Sequence, residues 1–317
     1  MRITNSMMLS SMMRNMGKNL SRMNSTEQML STGKKFLAPS DNPIGVSRSL
    51  RLNTEVANME QFKRNAEDAL SWMGTTEMAL ENLSDILQRA KELTVQASND
   101  TNAVDERKAI AAEIDQLKHQ IINIANTTYA GSHIFSGFKT DKPVLASTGQ
   151  YNMTPALKAS ENIEFNLGIS DKLAINITGQ RVFGTINNGK TINDSVDATS
   201  DVASTHTPQL IAVFDQLVTD LKADPAGNIQ GSIGRLDIHF NNVNALRAEV
   251  GVKTNRIELT LNRIDDDTLN LKSLLSKNED ADMAEVIMNL KMQENVYKAS
   301  LSGGARIIQP SLIDFLR

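Results

Sequence analysis

Apolar side chains recur every seven residues near both ends of the chain, and a second apolar row follows four positions behind the first. This spacing is the d-to-a step of a heptad repeat. The apolar positions of the first segment are Leu9, Met13, Met16, Leu20, Met23 and Leu30. Those of the last segment are Met283, Ile287, Leu290, Tyr297, Leu301, Ile308 and Phe315. The pattern predicts an amphipathic helix at each end, whose apolar face packs on the other helix or on neighbouring subunits.

Two longer apolar rows lie between these terminal segments. The row in residues 47–99 consists of Leu52, Met59, Ala66, Met73, Leu80 and Leu87, and the row in residues 229–276 consists of Ile229, Leu236, Val243, Val250, Ile257, Ile264 and Leu271. Each row predicts a helix roughly 70–80 Å long, at a rise of about 1.5 Å per residue. Shorter apolar stripes predict helices over 104–127 and 206–222. Together they predict an antiparallel bundle assembled from sequence on both sides of the middle.

The middle of the chain, about 138–200, has a different pattern. The stretches IEFNLGIS, LAINITG and RVFGTINNGKTI are β-branched, alternating and punctuated by Gly and Asn-Gly, which indicates short strands and hairpins. The predicted fold class is therefore mainly α, a long antiparallel helical bundle or coiled coil from both chain ends with a small β-rich domain inserted in the middle. The predicted domains are a terminal inner helical domain of 1–40 with 278–317, a helical rod domain of 41–137 with 201–277, and a β-rich outer domain of 138–200.

Composition excludes several classes of function. A net charge of −4 and a pI near 5.7 argue against nucleic-acid binding, which usually requires a basic surface. The chain has no cysteine, so it forms no disulfide and no thiolate metal site. No apolar run approaches the roughly 20 residues of a membrane span. Few aromatic residues and 15 methionines suit long helices packed side by side better than one compact globule.

The sequence STGKK at 31–35 is one candidate for a phosphate-binding loop, but the pattern fails. A phosphate loop requires a glycine five residues before Gly33, where Gln28 lies, and a serine or threonine after the lysine, where Lys35 lies. The glycine is better explained as a helix C-cap, because the apolar row ends at Leu30. The local pattern therefore predicts a joint between two helices.

The acid-rich stretch 99–113 also lacks the pattern of a metal site. Counting from Asp100 as the first calcium ligand places Asp105 where a glycine is required and Ala111 where a bidentate glutamate is required. The four histidines show no i, i+4 pairing and no HExxH pattern; they are His119, His133, His206 and His239. With no GxSxG motif either, we predict no catalytic residue, no cofactor and no metal.

The stretch LSTGKKFLAPSDNPIG, residues 30–45, separates the first two predicted helices. Gly33 follows the end of the first apolar row, Ser40 or Asp41 is the expected N-cap of the second helix, and Pro43 falls in its first turn. The predicted joint residues are Gly33, Pro39, Asp41 and Pro43. In the last segment, Gly303-Gly304 and Pro310 predict a hinge or break before the terminal SLIDFLR.

Several long stretches resemble the bacterial flagellin family in the right order. They are LSTGKKFLAPSDNPIG at 30–45, almost all of residues 79–131, and ALRAEVGVKTNRIE at 245–258. The resemblance covers both terminal regions and most of the helices, and it leaves only the β-rich insertion uncovered. The start MRITNSMM and the end GARIIQPSLIDFLR resemble the junction members of the family more than its filament members.

The resemblance implies an extracellular structural component of the bacterial flagellum, an adaptor that connects the hook to the filament. Its implied partners are further copies of itself in a ring or layer, the first hook-associated protein on the hook side, flagellin on the filament side, and an export chaperone at residues about 278–317. It also implies that the terminal segments form an inner ring of helices, and that the chain is exported without a cleaved signal peptide. No membrane or nucleic-acid partner is expected.

Three alternatives stay open at the level of sequence. The chain could be the filament subunit itself, a soluble coiled-coil chaperone or export regulator, or an enzyme with an unrecognised site. A chaperone would need neither the joint nor the β-rich insertion, and the absence of any catalytic residue spacing argues against an enzyme.

The stretch LQRAKELTVQ at 87–96 resembles the flagellin segment that a host receptor binds.

Overall fold

The computed structural model describes residues 5–98, 104–152, 161–186, 207–223 and 228–308. Within these ranges the helices are α1 Asn5–Thr32, α2 Pro43–Ala97, α3 Val104–Ala125, α4 Gly179–Phe183, α5 Gln209–Lys222, α6 Ile229–Glu279 and α7 Met283–Ile308. The strands are β1 Thr128–Tyr129, β2 Ser132–His133, β3 Glu164–Asn166 and β4 Lys172–Ala174. They form two antiparallel two-stranded sheets, β1 with β2 and β3 with β4. The predicted fold class, mainly α with helices from both chain ends, is confirmed.

The chain divides into two compact units. We call residues 1–59 with 266–317 the terminal unit, and residues 60–265 the central unit. Helices α2 and α6 contribute residues to both units. The three-domain division made from the sequence stays a prediction.

Ion pairs in the central unit show that α2 and α6 run antiparallel. Lys63 of α2 pairs with Asp265 of α6 at 2.7 Å, and Lys91 pairs with Asp237 at 2.6 Å. Because the partner number on α6 falls as the number on α2 rises, the chain directions are opposite. The apolar rows predicted at sevens lie on the packed sides of these helices, and most of their residues in the central unit are buried.

The hydrophobic core lies in the central unit, where α3 and α5 pack against each other beside buried residues of α2 and α6. Helix α5 buries a stripe with helical spacing, formed by Leu210, Val213, Phe214, Leu217 and Leu221. Lys118 of α3 also reaches Asp215 of α5 at 2.9 Å. Burial of this apolar surface is the main source of stability for the unit.

The β-containing middle has less regular strand than the sequence predicts. Strand β3 lies within the first predicted stretch, and β4 overlaps the start of the second. The third stretch begins with the last turn of helix α4, so the strand predicted at 181–183 is wrong, and its residues 187–192 lie outside the described residues. The only apolar residues at 181–183, Val182 and Phe183, are adjacent, and so short a pattern does not distinguish a buried helical turn from a strand. Side-chain amides supply hydrogen bonds in place of a longer ladder: Asn176 bonds Ile163 N at 2.8 Å and Glu161 O at 2.7 Å.

Helix α4 is anchored to its surroundings by three contacts. The Phe183 ring meets Phe135 edge-on at a centroid distance of 6.0 Å. The buried Tyr151 hydroxyl donates to Gly184 O at 2.7 Å. Arg181 forms a two-pronged ion pair with Glu249 of α6, and the guanidinium holds the pKa of Glu249 down at about 2. These contacts fix the middle segment within the central unit.

The hairpin of β1 and β2 was missed by the sequence analysis. Ala130 and Gly131 both have positive φ, +48° and +82°, as a two-residue type I′ turn requires. Asn126 supports this region because its side chain bonds Leu145 N at 3.0 Å and Leu145 O at 2.8 Å. The Ala-Gly pair lacks the usual Asn-Gly signature, so pattern alone gave no hairpin signal.

Candidate subunit interface and joint

Helices α1 and α7 pack against each other in the terminal unit and run antiparallel. At one end of the pair, Ala281 N donates to Gly33 O at 2.8 Å. Further along, Gly304 of α7 lies against the Met12 side chain of α1, so closely that a Cβ on this glycine would overlap the methionine. Residues with lower numbers in α1 therefore lie beside residues with higher numbers in α7, so the two helices run in opposite directions.

The break predicted at Gly303-Gly304 is absent, because α7 continues through both glycines to Ile308. Gly304 lies instead where the end of the flexible Met12 side chain comes close to α7, so a larger residue here would require that side chain to move. Pro310, the other part of that prediction, lies outside the described residues.

The α1–α7 pair leaves most of its apolar surface exposed. Among the described side chains of the two helices, only Thr26, Val286 and Gly304 are buried. The exposed large apolar residues are Met7, Met8, Met13, Leu20, Met283, Ile287, Met288, Met292, Val296 and Leu301, and we call this set the terminal face. Large apolar residues exposed in this number on one pair of helices are typical of an interaction site.

The residues predicted for subunit packing divide into three groups. Met13, Leu20, Ile287 and Leu301 belong to the exposed terminal face. Met16, Met23, Leu30, Leu290 and Tyr297 are half-buried. Leu9 and Ile308 lie within α1 and α7, but the structure describes only their backbone, and Phe315 lies outside the described residues. A packing role for these residues in the assembled protein stays a prediction.

The joint, residues 33–45, is tied to the short connection between α6 and α7. Lys35 N donates to Glu279 O at 2.7 Å, so the two connections pair like a short antiparallel ladder. Lys34 forms an ion pair with the largely buried Glu279 side chain. Lys35 Nζ also donates to Lys277 O at 3.1 Å. The two turns therefore hold each other in place.

Gly33 caps α1 as predicted. Its φ is +71°, and its N–H donates to Met29 O at 2.9 Å. This left-handed conformation ends the helix and is readily adopted only by glycine. No neighbouring atom lies within 4 Å of a Cβ built at this position, so the requirement for glycine comes from the backbone conformation alone.

The N-cap of α2 is Asn42, and the prediction of Ser40 or Asp41 was wrong. Asn42 Oδ1 accepts from Gly45 N at 2.9 Å, and Pro43 occupies the first helical position. Asp41 closes the preceding turn instead, because its carboxylate accepts from Ala38 N at 3.1 Å and Leu37 N at 3.2 Å. These backbone hydrogen bonds lower the pKa of Asp41, and the bond from Ala38 has the larger effect. Pro39 is exposed within the same turn.

Two sets of contacts at the joint were missed by the sequence analysis. The Phe36 ring is buried against Gly45, where a Cβ would come within 2.7 Å of the ring. Asn278 Nδ2 donates to Gly45 O at 3.0 Å and to Ser49 Oγ at 2.8 Å. A signal for Asn278 was available, because it is the first polar residue in the apolar row that begins at Ile229.

Among the described residues, no group of three or more His, Asp or Glu side chains could hold a metal ion. In the same ranges, none of the helices has the length and hydropathy needed to cross a membrane. The segment 87–96 lies in α2, where Gln88, Lys91, Glu92, Val95 and Gln96 line an open groove of about 730 Å³ with Phe240 of α6. Receptor binding by this segment stays a prediction.

The architecture defines the class of protein. Helices from both chain ends pair in one unit, and a second unit holds the core and the β-containing middle. Two family models match the chain, the bacterial flagellin N-terminal helical region over residues 3–140 and the C-terminal helical region over residues 233–316. Together they cover more than half of the chain, which therefore belongs to the bacterial flagellin family.

Individual relatives include both hook-associated proteins and flagellins. Flagellar hook-associated protein 3 of Escherichia coli is 28% identical over 95% of this chain and 95% of its own length. A flagellin of Halalkalibacterium halodurans is 27% identical, covering 90% of this chain and 88% of its own length. The crystal structure of flagellar hook-associated protein 3 from Legionella pneumophila shares the fold with a TM-score of 0.59 at 17% identity, over 71% of this chain and 97% of that one. The predicted flagellar resemblance is thereby confirmed.

Proposed function

We propose that this chain is the structural adaptor at the hook–filament junction of a bacterial flagellum. Its terminal helices pack into a layer with those of neighbouring copies. The observation that carries the proposal is the terminal face, an exposed apolar surface on the two helices contributed by the chain ends. Homology to hook-associated protein 3 over nearly the full length of both chains supports the junction role specifically.

The energetics of the terminal unit support assembly. The α1–α7 pair buries few side chains, so its helices gain little stability from packing in the isolated chain. Each large apolar side chain that becomes buried between subunits contributes about 1.5–3 kcal/mol. Packing against neighbours therefore stabilises the helices and the assembly together.

The composition of the terminal face suits an adaptor with two kinds of neighbour. Of its ten residues, Met7, Met8, Met13, Met283, Met288 and Met292 are methionines. Methionine is unbranched and flexible, and methionine-rich surfaces repack against partners of different shape. We propose the first hook-associated protein as the neighbour on the hook side and flagellin as the neighbour on the filament side.

Before assembly, the same surface needs protection. Exposed apolar helices promote aggregation. We propose that an export chaperone covers the C-terminal region, about 278–317, and that the chain leaves the cell without a cleaved signal peptide. Binding of the chaperone to full-length chain and not to a chain ending at residue 277 would support this assignment.

Deletion of the gene tests the proposed function in the cell. We expect cells that still build hooks but carry no filaments, with flagellin released into the medium, and we expect the intact gene to restore filaments. Normal filaments in the deletion strain would contradict the proposal. Loss of filaments without release of flagellin would also contradict it, since an export defect would then be the cause.

The joint provides a narrower prediction. Replacing Gly33 with alanine puts a side chain on a residue with φ of +71°, which costs about 1–2 kcal/mol. We expect binding of the purified chain to hooks isolated from the deletion strain to fall about tenfold, since about 1.4 kcal/mol corresponds to a factor of ten. The helical circular-dichroism signal should stay near that of the wild type. Binding is measured by co-sedimentation.

A second glycine provides the matched control. Gly74 lies in the helical interior of α2, and a Cβ there has no neighbour within 4 Å. Gly74→Ala should leave hook binding unchanged and slightly stabilise the helix. If Gly33→Ala lost helicity and binding in equal measure, the joint would have no separate role in assembly. Replacement of Pro43 is expected to act in the same direction as Gly33→Ala.

A further inference from the structure

Methionines are concentrated in the terminal helices. Of the 15 in the chain, seven lie in α1 and three in α7. Five of them are the most exposed of the ten: Met7, Met8, Met13, Met288 and Met292. In the central unit, Met73 is fully buried in the core and Met78 is exposed. The thioethers most accessible to solvent are therefore concentrated on the surface that the proposed function requires to stay apolar.

The rest of the composition makes these sulfurs the preferred targets of a peroxide. Cysteine thiolates would ordinarily be oxidised first, but the chain has none. Methionine is the other side chain that forms a stable oxide under mild conditions, and its susceptibility follows exposure to solvent. The terminal face thus combines the reactive group with exposure to solvent, at 48–64% for these five methionines.

We propose that the terminal face is a site of reversible methionine oxidation, and that sulfoxide formation by a hydroperoxide blocks assembly. A sulfur lone pair attacks one peroxide oxygen, the S–O bond forms and the O–O bond breaks. With hydrogen peroxide, the departing hydroxide takes the proton from the oxygen that is transferred to sulfur, and leaves as water. Sulfur loses two electrons, and the peroxide is reduced. This inference rests on the proposed function, because it concerns the same assembling surface.

Oxidation changes the property on which packing depends. A sulfoxide is polar and chiral, whereas the thioether is apolar and flexible. Burying an additional polar oxygen between subunits without a hydrogen-bond partner is unfavourable. We expect each sulfoxide within the packed face to weaken hook binding about tenfold, equivalent to about 1.4 kcal/mol. The central unit should keep its structure because its core methionine is shielded.

The test compares two variants of the full-length chain. The first replaces Met7, Met8, Met13, Met288 and Met292 with leucine, which keeps the volume and apolar character but removes the sulfur. The matched control is Met78→Leu, because Met78 of α2 and Met292 of α7 are equally exposed, at 58% each. Wild type and both variants are treated with hydrogen peroxide. Oxidised residues are identified by peptide mass spectrometry, and hook binding is measured by co-sedimentation.

We expect peroxide to oxidise the five residues before Met73 and to reduce hook binding by the wild type and by Met78→Leu. The five-leucine variant should keep its binding, and methionine sulfoxide reductases A and B together should restore the wild type. Equal loss in all three proteins, or oxidation without loss, would overturn this inference alone. If the untreated wild type did not bind hooks, the proposed function would fail and this inference with it.

Discussion

Hook binding by the purified chain is expected to fall at least about a hundredfold when Ile287 is replaced by aspartate. Ile287 lies in α7 on the terminal face and is 48% exposed, so the isolated chain tolerates the substitution. In the assembly, the carboxylate would be buried against a neighbour, and an unpaired buried charge costs several kcal/mol. At about 1.4 kcal/mol per factor of ten, even a partial penalty gives the expected loss.

Monomer structure should be preserved in this variant. Residue 287 lies in the second turn of α7 and is about half exposed, and aspartate costs at most about 0.7 kcal/mol relative to alanine in a helix interior. We therefore expect the wild-type circular-dichroism spectrum together with lost binding. The matched control is Ile169→Asp, at an isoleucine of the central unit that is 90% exposed. Equal loss of binding in both variants would show that the terminal face has no special role.

The largest effect on stability is expected from Phe183→Ala. The side chain is fully buried and meets Phe135 edge-on. Removing a buried phenylalanine loses its transfer free energy and leaves a cavity, and we expect the free energy of unfolding of the central unit to fall by about 4 kcal/mol. The single tryptophan, Trp72, is buried in the same unit and reports its unfolding by fluorescence in urea.

Phe138→Ala provides the control for this measurement. Phe138 belongs to the same part of the chain but is 62% exposed, so its truncation should change the free energy of unfolding by less than about 0.5 kcal/mol. A similar small change for Phe183→Ala would contradict the assignment of α4 to the core. Hook binding by Phe138→Ala should equal that of the wild type.

The long helices could be predicted from sequence because one repeated property determines them. The rows at sevens predicted 47–99 and 229–276, and the helices α2 and α6 extend over Pro43–Ala97 and Ile229–Glu279. An apolar residue at every seventh position over so many residues is typical of a helix and not of a strand, in which apolar residues alternate. The ends were less accurate because the apolar row carries no information about the capping residue.

Local interactions account for the errors. Asp41 was an equally good N-cap candidate in sequence, but its carboxylate is occupied by the turn before α2, which leaves Asn42 as the cap. Gly304 has the character of a helix breaker in sequence, but in the structure it allows Met12 to approach α7. Helix α4 depends on contacts with Glu249 and Phe135, which are distant in sequence. Propensity carries no information about such partners.

The candidate interface was partly predictable because its residues also belong to repeated apolar rows. The heptad rows identified Met13, Leu20, Ile287 and Leu301 as apolar positions, and these residues are exposed in the structure. The rows could not separate them from half-buried neighbours such as Met16 and Leu290, because that difference depends on which sides of α1 and α7 face each other. The exposed set became visible only once the two helices were paired.

Immunogold labelling of intact flagella tests the central claim most directly. An antibody against residues 138–200 would be applied to the source bacterium, with the deletion strain as the negative control. The junction role predicts a single band of label at the boundary between hook and filament. Label along the whole filament would contradict it and identify the chain as a filament subunit.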